Sequence, residues 1–123
     1  MPTDRRHSPR TPVIWKAQID RPCGAHHHAS IANVSVDGLE MIVDRSLPVG
    51  ETLQLALIIR QPGSASFIRL AGRVCHCRCL AANLGCTVGV ALAPPPTLYR
   101  RQVEQRLESS AAALRMAADH RAG

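Results

Sequence analysis

Short runs in which apolar and polar side chains alternate, each closed by a turn bearing glycine or proline, fill most of this chain and restrict it to β-structure. Residues 14–20 place Trp15, Ala17 and Ile19 on one face, and Pro22-Cys23-Gly24 then reads as a turn. A second strand is predicted over residues 26–35. Val36-Asp37-Gly38 supplies hairpin chemistry, and Leu39, Met41 and Val43 alternate with Glu40, Ile42 and Asp44 in the strand after it. Leu53, Leu55, Leu57 and Ile59 mark the next strand, ended by a turn at Gln61-Pro62-Gly63-Ser64. Residues 67–80 alternate imperfectly, because the register that buries Ile68, Leu70 and Val74 also carries His76 and Arg78 inward; a bulge or a strand end near Cys75 resolves the conflict. Val88, Val90 and Leu92 define a last strand, and Pro94-Pro95-Pro96 stops the sheet. Thr97 can cap a helix in which Tyr99, Val103, Leu107, Ala111 and Leu114 form one stripe. Five or six strands and one helix predict an all-β fold: a small antiparallel barrel with a C-terminal α-helix packed on its outside or mouth.

The 123 residues make one domain, divided by composition into an N-terminal arm (1–12), the barrel and helix (13–117) and a fraying tail (118–123). Trp15, Phe67 and Tyr99 are the only aromatics, so aliphatic side chains must fill the core. No apolar run is long enough to span a membrane, and the N-terminus lacks the apolar stretch of a signal peptide, which leads us to expect a cytoplasmic protein. Five cysteines, an odd number, then argue for reduced thiols rather than a disulfide framework. Fifteen basic residues, all arginine except Lys16, give a net charge of +6 and favour anionic partners, with guanidinium groups suited to phosphate or a guanine edge.

Two clusters carry usable chemistry. In the arm, Arg5, Arg6 and Arg10 stand within six residues, with Pro9 holding Ser8 extended. At the first hairpin, Asn33 and Ser35 share a strand face, and Gly38 permits a tight turn. Arginines clamp phosphates, bond guanine O6 and N7 and stack on bases, while an amide and a hydroxyl add neutral hydrogen bonds. Arg6-x-x-x-Arg10 followed by Asn33-x-Ser35-x-x-Gly38, then short strands, Val88-Gly89-Val90 and a C-terminal helix, resembles the PilZ domain family over residues 4–117. The resemblance implies a six-stranded antiparallel β-barrel that binds the second messenger cyclic di-GMP without catalysis. It implies Arg6 and Arg10 as guanine and phosphate contacts, with Asn33, Ser35 and Gly38 as the opposite wall. An arginine at Arg5 implies two stacked ligand molecules per chain, and a lone domain of this kind implies a protein partner that receives the signal.

Four rival readings are weaker. His26-His27-His28 with Cys75, Cys77 and Cys79 on one strand face suggests a metal site, but the spacing departs from the C-x₂₋₄-C pairs of zinc modules, so no metal or cofactor is expected. Catalysis lacks a paired acid and base, a phosphate loop or an oriented nucleophile. A barrel binding single-stranded nucleic acid would need more aromatics for base stacking, and a PilZ-like interaction module without ligand affinity would not need both motifs. The arm itself, with three prolines and three clustered arginines, is expected to close over the 33–38 hairpin only when an anionic ligand neutralises it.

Overall fold

A computed structural model describes residues 8–122 apart from Ala93, with side chains through Arg115. Six strands form: β1 (Thr11–Asp20), β2 (His26–Ser35), β3 (Gly38–Val43), β4 (Thr52–Gln61), β5 (Ser64–Cys79) and β6 (Cys86–Leu92). Every pairing is antiparallel, and the order β1-β2-β3-β6-β5-β4 closes into a barrel through the β1–β4 pair. Closure leaves no open edge, which is how a small sheet avoids exposing unpaired backbone. One helix comes last, α1 (Thr97–Ala122).

The core forms where alternation predicts it. In β1, Thr11, Val13, Trp15, Ala17 and Ile19 all point inward, and in β4 Leu53, Leu55, Leu57 and Ile59 do the same. Aliphatic side chains from all six strands fill the interior, with Trp15 and Tyr99 as its two aromatics. Phe67 is 71% exposed on the outer surface.

Three register shifts interrupt the ladders, between Pro12 and Trp15, between Ile31 and Asn33, and between Val74 and His76. The last is the bulge expected near Cys75, and it reverses the facing of the rest of β5: Val74 is buried, His76 is exposed, and Cys77 turns partly inward. Cys75, Cys77 and Cys79 therefore do not share a face. The shift in β2 lies at Ala32, and the sequence, read as one strand through residues 26–35, did not place it.

The β-structure begins earlier than residue 13. Thr11 pairs with Val34 and Pro12 with Asn33, and Thr11 is buried. Proline is tolerated here because β1 meets β4 only from Lys16 onward, so the Pro12 nitrogen owes no ladder bond on that side. Residues 8–12 thus belong with the fold rather than with a free arm; residues 1–7, including Arg5 and Arg6, lie outside the described part.

Tyr99 and Val103 are fully buried against the barrel, and Leu107 is half-buried. The stripe expected to continue through Ala111 and Leu114 does not: both are exposed, and the contact passes to Ser110, whose hydroxyl lies 3.1 Å from that of Thr11. Spacings of three and four drift around a straight helix, and the barrel wall underlies only the first part of it. Residues 118–122, expected to fray, continue α1.

A second departure concerns the cysteines. Cys79 and Cys86 form a disulfide, leaving Cys23, Cys75 and Cys77 free. The count of cysteines gave no hint of this, because the pairing arises from the register that sets Cys79 directly opposite Cys86.

Packing and burial set two expectations for stability. Tyr99→Phe removes a buried hydroxyl that bonds two carbonyls, and should lower stability by about 1–3 kcal/mol. Leu114→Ala, at an exposed position, should change it by less than about 0.5 kcal/mol; urea denaturation compares the two. Burial pushes the imidazole of His27 below the usual histidine range, with Arg45 and Arg21 acting in the same direction. On acidification the unfolded chain therefore takes up this proton first, so stability is full above the ordinary histidine value of 6.5 and falls as the pH drops towards the folded value. The lowered carboxyls of Glu51, beside Arg21, and Asp44, beside Arg45, start from ordinary values of 4.5 and 3.8 and act only in more acid solution. Melting temperature should decline as the pH falls below about 6.5 in the wild type and much less in His27→Leu.

Candidate functional site

The bulge at Ala32 positions the site. It turns Val34 into the core and sends Asn33 and Ser35 to the opposite face, beneath the start of β1. Without the extra residue, plain alternation from Ile31 would drive both polar side chains into the barrel.

A two-residue turn, Val36-Asp37, joins β2 to β3, and neither residue has a positive φ. The turn is therefore not of the primed type common in tight hairpins. Side chains hold it instead: the Ser35 hydroxyl lies 2.8 Å from Asp37 Oδ1, its hydrogen-bond acceptor, and 3.3 Å from the Gly38 carbonyl, while Ser8 donates to Asp37 Oδ2 at 3.4 Å. Gly38 needs no special φ, contrary to the turn role read from sequence. Its requirement is space, since a Cβ there would stand 2.9 Å from the Val90 carbonyl oxygen.

Arg10, immediately before β1, reaches across to this hairpin. Its Nη1 donates to Asn33 Oδ1 at 2.9 Å, which orients the amide so that Nδ2 donates to Glu40 Oε1 at 3.2 Å. Arg10 Nε is buried without an acceptor among the described residues. A buried guanidinium N–H left unpaired is costly, and such a group serves best where an incoming acceptor can meet it.

A cavity of about 180 Å³ opens beside Arg10. Ser8, Arg10, Ser35, Asp37 and Gly38 form one wall, and Cys75, His76, Gly89, Val90 and Ala91 the other. The His76 imidazole lies over Gly89, where a Cβ would overlap its ring. His76 reaches this surface because the bulge at Cys75 displaces it from the inward row. Beneath the site, the Tyr99 hydroxyl contacts the carbonyls of Ser35 at 2.8 Å and Gly38 at 3.0 Å, and burial raises its pKa far above the ordinary phenol value, so it remains a neutral donor.

Of the residues singled out from sequence, Arg10, Ser35 and Gly38 line the cavity together, and Asn33 is held beside it by Arg10. Arg5 and Arg6 lie outside the described residues. Asp37, Ser8, His76 and Gly89 were missed. Asp37 stands inside the hairpin motif and two positions from Ser35, which is a usable signal; the approach of His76 and Gly89 depends on strand order and has no local trace.

No curated protein is matched by this sequence. Solved structures are: the inhibitor of motility MotI/DgrA of Bacillus subtilis superimposes with a TM-score of 0.74 at 14% identity, over 89% of this chain and 53% of that one. The PilZ domain of YcgR from Escherichia coli, solved with c-di-GMP, gives 0.67 at 14% identity, over 94% of this chain and 98% of that one. The c-di-GMP complex of MrkH from K. pneumonia gives 0.61 at 12% identity, over 94% and 56%. This chain thus spans about half the length of MotI/DgrA and of MrkH, and nearly all of the YcgR domain. At such identities the likeness is one of fold. The family model for the PilZ domain matches residues 4–109, which include both arginines of the arm motif, the first hairpin and all six strands, and the chain therefore belongs to the PilZ domain family.

Proposed function

We propose that this PilZ domain is a non-catalytic cytoplasmic receptor for cyclic di-GMP, which it binds between Arg5, Arg6 and Arg10 on one side and Asn33, Ser35 and Gly38 on the other. The observation that carries the reading is the placement of Arg10: its guanidinium is seated on Asn33, has an Nε–H without an acceptor among the described residues, and borders the cavity that Ser35 and Gly38 also line. Family membership supplies the ligand class, since YcgR and MrkH were both solved with c-di-GMP.

The chemistry of the site suits a guanine nucleotide. Guanidinium groups neutralise phosphate and bond the O6 and N7 acceptors of guanine, and the Asp37 carboxylate can accept from the exocyclic N2–H₂ of the same base. At about 180 Å³ the cavity is smaller than the roughly 300–1000 Å³ of an enclosing pocket. A base or a phosphate fits it, and the rest of the ligand lies on the surface under the arm. Arg5 would add a second stacked ligand molecule. The bound surface, formed by ligand, arm and hairpin together, would then be what a protein partner reads.

Isothermal calorimetry with cyclic di-GMP tests this. Arg10→Ala should weaken binding more than tenfold, roughly 1.5–3 kcal/mol for a charge-assisted contact, and Ser35→Ala by about 1 kcal/mol. Unchanged affinity in Arg10→Ala would refute the site. The titration should end at two ligands per chain and shift towards one in Arg5→Leu; a wild-type endpoint of one removes the second ligand and leaves the site standing. An oligonucleotide that binds more tightly than cyclic di-GMP would favour the nucleic-acid reading instead.

A further inference from the structure

The end of the β5–β6 pair remote from Leu92 and α1 gathers three sulfurs. Cys77, Cys79 and Cys86 place their Sγ atoms all within 4.8 Å of one another. The bulge at Cys75 makes this possible. It turns Cys77 and Cys79 to the side on which Cys86 and Val88 lie, with Cys79 directly opposite Cys86 and Cys77 opposite Val88. Sequence spacing alone gathers Cys75, Cys77 and Cys79; register removes Cys75 from the group and adds Cys86.

We propose that Cys77, Cys79 and Cys86, once reduced, form a three-thiolate site for a soft or borderline metal ion, zinc in the first instance. Sulfurs bound at about 2.3 Å around a tetrahedral zinc stand about 3.8 Å apart, a spacing that the bonded Cys79 and Cys86 sulfurs reach only by separating on reduction. Two further features suit a ligand set. The backbone N–H of Leu47 donates to Cys77 Sγ at 3.5 Å, a hydrogen bond that stabilises a thiolate and fixes its orientation as outer partners of metal ligands do. Burial is graded, with Cys86 buried, Cys77 half-buried and Cys79 exposed, so one side of the cluster faces solvent. No fourth histidine, cysteine or carboxylate joins the group among the described residues, which leaves that coordination position to water or an external thiol.

Loading requires opening the Cys79–Cys86 bond. A dithiol reductant supplies two electrons and two protons, its own two S–H groups becoming a disulfide while Cys79 and Cys86 become thiols. Binding of the ion then releases the thiol protons to solvent as the three sulfurs become thiolates. The site stands apart from the arm and first hairpin, so its failure and that of ligand binding are separately visible.

The full chain, reduced with a phosphine under anaerobic conditions, is titrated with Co²⁺, whose thiolate charge-transfer absorption reports the sulfur ligands. Saturation at one Co²⁺ per chain is expected, with displacement by Zn²⁺. Cys77→Ser should weaken binding by roughly tenfold or more, and Cys23→Ser should leave it unchanged. On the wild type, which avoids any folding defect of a variant, bound Zn²⁺ should shield Cys77, Cys79 and Cys86 from alkylation while Cys23 and Cys75 react. Alkylation of all five cysteines at saturating Zn²⁺, equal loss in Cys23→Ser, or equally tight binding by the unreduced protein would overturn the proposal.

Discussion

The phenol of Tyr99 ties the helix to the site. Its ring is fully buried and its hydroxyl touches the carbonyls on both sides of the Val36-Asp37 turn. A turn whose residues lack the positive φ values of the primed types gains little from its own backbone, so this contact and the Ser35–Asp37 bond hold it. Helix position and hairpin geometry are therefore one constraint. The cavity depends on it, because Ser35, Asp37 and Gly38 are its floor and near wall.

The barrel contributes the opposite wall through irregularity rather than regularity. An unbroken ladder would alternate faithfully and keep Asn33 and Ser35 on the inward row with Ile31. One extra residue in β2 and one in β5 each reverse the facing of the rest of their strand. The first turns Asn33 and Ser35 off the inward row; the second sends His76 to the cavity and Cys77 towards Cys86. Gly38 and Gly89 then let the walls approach, one against the Val90 carbonyl and the other beneath the His76 ring. Two chemically different clusters, at successive positions along the β5–β6 pair, thus share one cause.

Ion pairing offsets only part of the positive charge. Among the described residues the surplus of arginine is not concentrated at the cavity, which Arg10 lines together with Asp37. Elsewhere, among the described residues, two arginines form ion pairs, Arg21 with Glu51 and Arg45 with Asp44. The first of these pairs is the better shielded from solvent; both are too exposed to dominate stability.

The sequence by itself determined the order of the elements, the inward rows of β1 and β4 and a break in alternation near Cys75, because alternation and turn chemistry act over a few residues. It also determined the family, since Arg6, Arg10, Asn33, Ser35 and Gly38 stand at recognisable spacings. Tertiary structure decided what depends on strand order and register: the entry of Thr11 and Pro12 into β1, the bulge at Ala32, the loss of Ala111 and Leu114 from the packed stripe, and the meeting of Cys79 with Cys86. It also changed the meaning of Gly38, read locally as a turn residue and required by a carbonyl on a distant strand, at Val90. Contacts of that kind are set by which strands become neighbours when the barrel closes, and closure is a property of the whole sheet that no short stretch of sequence encodes.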